Sequence, residues 1–284
     1  MNFHMGLVTH PQTKYPDLFW KKYVRIMHEQ EKKGNISKLV VFKSNKNYTN
    51  EKKYFLASVI LGRWANLSLN ISWNAYLKSE FKYRRLKKWG SALLDLVKFI
   101  LKLLMSKSFR INEMKSFIRH QNISLSHKSV FVDAELNDSD WALILEDDVC
   151  DEDFEFEMLK VLKYIKGNDF SKIDLFINLS DSLSYKQLGV REIVSDSKLI
   201  LDNPDFFITT KTFHNTTAAN LYNKNFILKF NCDFKEEINW CIQRAIPFDW
   251  ILNHLVLQEC GKDLKSIHMT KPFFRQLSII YGNT

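Results

Sequence analysis

Asp140-Trp141-Ala142-Leu143-Ile144-Leu145-Glu146-Asp147-Asp148-Val149 runs an apolar segment, Ala142 to Leu145, straight into three consecutive carboxylates. An apolar run of that length between polar residues reads as a buried, parallel strand, and open α/β sheets collect their ligands at the carboxyl ends of such strands. Adjacent carboxylates raise one another's pKa and oppose folding unless a cation sits among them. Hard oxygen donors select Mg²⁺ or Mn²⁺, ions that keep coordination positions open for substrate phosphates. The stretch therefore has two readings: a metal-diphosphate site for a nucleotide-activated substrate, or a solvated acidic loop that follows a strand.

The flanking chain favours an α/β protein. With 22 Phe, 7 Trp and 10 Tyr against 8 Gly and 5 Pro in 284 residues, the composition excludes disorder, collagen-like repeats and a turn-rich β-sandwich. Gly6-Leu7-Val8 opens the chain as a short apolar strand ending at Thr9-His10-Pro11, and Asp17 caps a predicted helix reaching Gly34. Lys38 to Phe42 is a second strand. No G-x-G-x-x-G or P-loop lysine accompanies this unit, which disfavours a dinucleotide or Walker-type site. Further on, helices are expected over Tyr54–Tyr76, Ser124–Glu135 and Asp153–Lys166, with strands at Ile173–Asn178, Leu199–Leu201 and Phe206–Ile208. His214 through Tyr222 is read as leading into a helix near Lys224. A last helix is expected from Trp250 to Cys260, stopped at Gly261, with Asp249 at its N-terminus, where free amides favour a carboxylate.

Cys150, Cys232, Cys241 and Cys260 have neither zinc spacing nor the density of a disulfide scaffold, as expected for a reducing compartment. The first residues lack a basic segment followed by a long apolar one, so no secretory signal is expected. The net charge of +9 belongs to one segment: between Lys78 and Arg119, twelve Lys and Arg face three acids. Such concentration points to a local anionic partner, an anionic membrane surface, and not to nucleic acid, for which no motif is present. Within it, Trp89, Ala92, Leu93, Leu96, Ile100 and Leu103 share one helical face, which either packs on the core or lies in a membrane interface together with Lys82–Lys88.

Four blocks resemble glycosyltransferase family 25, the group of bacterial lipooligosaccharide galactosyltransferases and related collagen-modifying enzymes. Ser126-His127 and the helix to Glu135 resemble its Ser-His helix. Ala142 to Val149 is similar to its Glu-Asp-Asp metal motif almost letter for letter. His214 to Tyr222 resembles a His-Cys-Gly-Thr-Ala-Gly-Tyr-like block, with Asn215, Thr216 and Asn220 where Cys and Gly are usual. Pro247-Phe248-Asp249-Trp250 looks like the Val-Asp block, and Pro272 to Gln276 like the closing Pro-and-Gln segment. The resemblance covers Gln121 to Gln276; the family's first-strand segment with its Arg is absent, and the basic insertion is not a family hallmark.

The resemblance implies one GT-A type domain over 1–284, a Rossmann-like mixed sheet flanked by helices with a basic helical insertion at 64–120. It implies an inverting, metal-dependent transfer from a nucleotide sugar, a UDP-sugar such as UDP-galactose, to a glycan or glycolipid acceptor in bacterial surface polysaccharide or lipooligosaccharide synthesis. The expected place is the cytoplasm, peripheral on the inner membrane's cytoplasmic face. Glu146, Asp147 and Asp148 would hold Mn²⁺ or Mg²⁺, with Asp148 the direct ligand, and Asp249 is the candidate base, although capping alone also explains it. His127, His214, Thr216 and Gln276 are candidate donor-site residues, and His268 a further one; the histidines are equally explained as core residues. A metal-dependent nucleotidyl or phosphoryl transferase would use the same acids, and a non-enzymatic basic module would need none of them.

Overall fold

The computed structural model describes residues 2–9, 24–25, 28–34, 38–43, 52–78, 82–146, 149–150, 154–168, 170, 173–180, 192–193, 206–209, 211–214, 218–258, 261, 263–269 and 275–276. Its strands are β1 (Phe3–Thr9), β2 (Lys38–Lys43), β3 (Trp141–Glu146), β4 (Val149–Cys150), β5 (Leu175–Asn178), β6 (Glu192–Ile193), β7 (Phe206–Thr209), β8 (Ala219–Asn223), β9 (Lys265–Met269) and β10 (Arg275–Gln276). Its helices are α1 (Lys52–Lys78), α2 (Lys82–Met105), α3 (Lys107–Leu136), α4 (Phe154–Gly167), α5 (Lys224–Asn231), α6 (Lys235–Gln243) and α7 (Phe248–Leu257).

The protein is an α/β structure with an open, mixed sheet in the order β2-β1-β3-β8-β5-β9-β7-β6, and a separate β10-β4 pair. β1 pairs in parallel with both β2 and β3, with Val8 opposite Glu146. The chain leaves β1 in one direction to β2 and returns to β3 on the other side. In open α/β sheets ligands bind at the carboxyl ends of strands flanking such a reversal, and Glu146 ends β3 there. β8 runs antiparallel between β3 and β5, so the sheet is not uniformly parallel.

Strands buried on both faces read as continuous apolar runs. In β3, Trp141, Leu143 and Leu145 join one core with Val161, Leu162, Tyr164 and Ile165 of α4. Ala142 and Ile144 face the other way, into a core shared with α1, α3, α5, α6 and α7. The result is three layers. Gly6 of β1 lies under α3, and a Cβ there would overlap the methyl groups of Val130.

Several expectations change. Tyr54–Tyr76 belongs to one 27-residue helix, and the expected Ser124–Glu135 helix is the end of a 30-residue one that starts at the N-cap Ser106. The expected helix near Lys224 is α5, and the block before it holds an unforeseen strand, β8. Its Asn residues are poor strand formers, yet the Asn223 side chain accepts from the amides of Leu175 and Phe226, both at 3.1 Å, and donates to the carbonyls of Phe170 and Ile173. The last helix begins at Phe248 and ends at Leu257, not at Gly261. Gly261 is needed for a different reason, since a Cβ there would collide with the Leu255 carbonyl. The expected 199–201 strand, His10 and the start of the helix at Asp17 lie outside the described residues. Cys232 and Cys241 are free thiols.

In the basic segment, the expected apolar face is partly corrected. Ala92, Phe99 and Leu103 are buried, Trp89 packs on Trp64 at 5.5 Å, and Leu93 faces solvent. No helix among the described residues is long and apolar enough to cross a membrane.

Gly6→Ala should destabilise the fold by about 1–3 kcal/mol through overpacking. Val130→Ala placed on that background should return part of the loss, so that thermal melts of the two single variants and the double variant are non-additive.

Candidate functional site

The acid end of β3 is positioned by backbone first. Glu146 donates its amide to the carbonyl of Ala218 at 2.9 Å, which locks the strand end to the start of β8. Its side chain then meets His127, on the buried face of α3, with Nε2 3.0 Å from Oε1. An ionised carboxylate only accepts, so the imidazole donates. The His127 ring is fully buried, and it stacks on Phe248 with ring centroids 4.1 Å apart and 9° between planes. One side chain thus joins α3, β3 and α7.

Phe248 and Asp249 form the first turn of α7. The N-cap position belongs to Pro247, which makes no side-chain cap bond, so Asp249 is not the cap that the sequence pattern allowed. Its Oδ1 accepts from the amide of Trp250 at 2.9 Å. Asp249 is half-buried, and its pKa is pushed up to about 6, first by burial and further by the negative charge of Glu146, against a downward pull from the Trp250 amide. The two carboxylates therefore share one electrostatic environment. No lysine or arginine among the described residues offsets the effect on Asp249.

The turn before Asp249 is held by residues that sequence reasoning missed. Gln121, buried on α3, donates to the carbonyls of Ile242 at 3.0 Å and Gln243 at 3.3 Å, and Ser124 donates to Ile246 at 3.2 Å. Between those anchors Ala245 takes a left-handed backbone conformation, φ 51°, unusual for a residue with a side chain. The signal was a run of polar residues, Gln121, Asn122, Ser124, Ser126 and His127, on the buried face of a helix whose remaining buried positions, Phe117, Val130, Phe131 and Ala134, are apolar. Gln121 and Ser124 act on Asp249 through the backbone.

His214 is clamped to α7: its amide donates to Asn253 Oδ1 at 2.7 Å and its carbonyl accepts from Asn253 Nδ2 at 3.0 Å. Its pKa lies well below the usual histidine value, chiefly through burial and then through His268 and His127, with the Asn220 hydrogen bond acting the other way. His268 is buried too, pushed down to about 3 by that burial, 3.0 Å from Ser266 Oγ and stacked on Phe213 at 4.3 Å. Both rings are neutral at pH 7 and brace the sheet's carboxyl end. Tyr222 carries the field further: its pKa rises well above the usual value through burial and then through Glu146.

Gln276 of β10 is opposite Val149 of β4, which brings the C-terminal segment beside the strand that follows the acidic triplet. Asp147, Asp148 and Thr216 lie outside the described residues, as does the side chain of Gln276. Among the described residues no group of three His, Cys, Asp or Glu could hold a metal. Glu146 is the one member of the acidic triplet among the described residues, and its negative charge reaches Asp249. Comparison with protein-family models and with curated proteins gives no match for the chain.

Two predictions follow from this geometry. Because the folded state binds the Asp249 proton more tightly than the unfolded chain, stability falls as pH rises from about 4 through about 6. Asp249→Asn should accordingly raise the melting temperature of the metal-free protein at pH 7, with the gain shrinking towards pH 5. Gln121→Leu leaves buried carbonyls without their donor and should cost about 1–3 kcal/mol in a denaturant melt.

Proposed function

We propose that the chain is a metal-dependent inverting glycosyltransferase of GT-A type that moves a sugar, galactose or a relative, from a UDP-sugar to a glycan or glycolipid hydroxyl. The observation that supports this reading is that one buried ring joins the two acid-bearing elements: His127 lies 3.0 Å from Glu146 Oε1 and stacks at 4.1 Å on Phe248, the residue before Asp249. The strand reversal between β1 and β3 supports it, because Glu146 stands where an open α/β sheet binds nucleotides. So does the electrostatic linkage of His127, Glu146, His214 and Asp249, four segments distant in sequence.

In this reading Asp249 takes the proton of the acceptor hydroxyl. Its carboxylate is ionised at neutral pH, and with a pKa of about 6 it binds a proton more tightly than an ordinary aspartate. Glu146, Asp147 and Asp148 would hold Mn²⁺ or Mg²⁺, which when bound supplies charge stabilisation to the departing nucleoside diphosphate. His127 keeps Glu146 in one orientation, and Phe248 keeps His127 in place. His214 and Asn253 fix the segment that leads to Thr216.

A thermal-shift screen tests the donor class: UDP-sugars should raise the melting temperature in the presence of Mn²⁺ and far less without it, since a ligand bound only to the native state stabilises it. Asp249→Asn and Asp148→Asn should each lower UDP release by about 10²–10⁴-fold with the fold retained. The wild-type rate should fall on the acid side near pH 6, where Asp249 takes up its proton. Absence of any UDP-sugar stabilisation, together with unchanged behaviour of Asp148→Asn, overturns the proposal.

A further inference from the structure

Helix α2 has a second apolar face that the fold does not use. Ala92 is buried, and Phe99 and Leu103 join a cluster with Val59, Phe117 and Ala245. On the opposite side Leu86, Leu93, Leu94, Val97, Leu101, Leu104 and Met105 are all exposed, from 51% to 84%. At 3.6 residues per turn these positions fall within an arc of about 120° along the whole helix. An exposed apolar stripe of this length on a helix already anchored by its other side is costly in water and marks a docking surface.

Charge identifies the occupant. α2 carries seven Lys and Arg and one acid, Asp95, which lies outside the stripe. Lys87 and Lys98, both exposed, border the stripe along one edge, and Lys102 lies beyond them. A leucine face edged by lysines matches the boundary between acyl chains and anionic headgroups, in which a helix lies parallel to the surface. A protein partner or a second copy would not need the cationic edge. Trp89, which the pattern offered as an interfacial anchor, is instead spent on Trp64, so the leucines and not the tryptophan would enter the lipid.

We infer that α2 docks the protein on an anionic lipid surface, with Leu86, Leu93, Leu94, Val97, Leu101 and Leu104 facing the acyl boundary and Lys87 and Lys98 at the headgroups. The inference rests on the surface of α2 alone and is independent of the transferase reading.

Co-sedimentation of the full chain with phosphatidylcholine vesicles, with and without about 30 mol % phosphatidylglycerol, tests it. Binding should require the anionic lipid. Leu94→Asp/Leu101→Asp changes two exposed residues and should weaken binding by more than about tenfold with an unaltered melting curve. Lys87→Gln/Lys98→Gln should weaken it about tenfold or more and reduce its salt dependence. Failure of the wild type to bind anionic vesicles overturns the inference, as does undiminished binding by the leucine variant. So does a wild-type dimer that the leucine variant converts to monomer without any change in vesicle partition, because the stripe would then join two copies.

Discussion

The arrangement of this protein depends on a buried imidazole that does two jobs. His127 donates to Glu146 on one side and lies flat against Phe248 on the other. The bond fixes the acid at the end of β3, and the stack fixes the first turn of α7 relative to it. A hydrogen bond to a charged group in a dry setting is stronger than a neutral one, and breaking it leaves a buried donor unsatisfied. The same ring therefore sets both the spacing of Glu146 and Asp249 and the rigidity of that spacing. α3 is in turn held to the sheet through Val130 over Gly6 and through His4, whose Nε2 lies 3.3 Å from Asp133.

What the sequence made legible follows from this layering. β3 was plain because both its faces are buried, which leaves an unbroken apolar run, and the acids at its end were plain because three charges cannot be mistaken for core. The helix α3 was legible only at its end. Its inner face carries Gln121, Asn122, Ser124, Ser126 and His127, and a buried polar strip removes the contrast on which a helical pattern depends. β8 was hidden for a related reason: Asn220 and Asn223 read as loop residues, and only three-dimensional partners make them acceptable in a central strand. The site's acid and base candidates were visible as residue types, whereas the carbonyl contacts that aim Asp249 join residues more than a hundred positions apart and leave no local trace.

Hydration divides the molecule. Around His214 and His268 the polar groups are buried, neutral and held by fixed partners, so that part of the sheet's end is rigid and dry. Along one face of α2 exposed leucines stand beside the exposed Lys87 and Lys98. The helical layer from α1 to the first half of α3 thus belongs to the fold by one face and to the surroundings by the other.

The acids elsewhere in the chain are treated differently from Glu146 and Asp249. Asp174 is paired with Lys229 and Asp138 with Lys224. Asp249 receives the opposite treatment: it is partly enclosed, placed near the charge of Glu146, and left without a basic neighbour among the described residues. Its carboxylate does accept the Trp250 amide in the first turn of α7, which suits an acid at a helix N-terminus but does not explain its burial. A carboxylate that destabilises the fold when ionised, yet is held in place by Gln121 and Ser124 through the turn before it, makes physical sense if its raised proton affinity is itself the useful property.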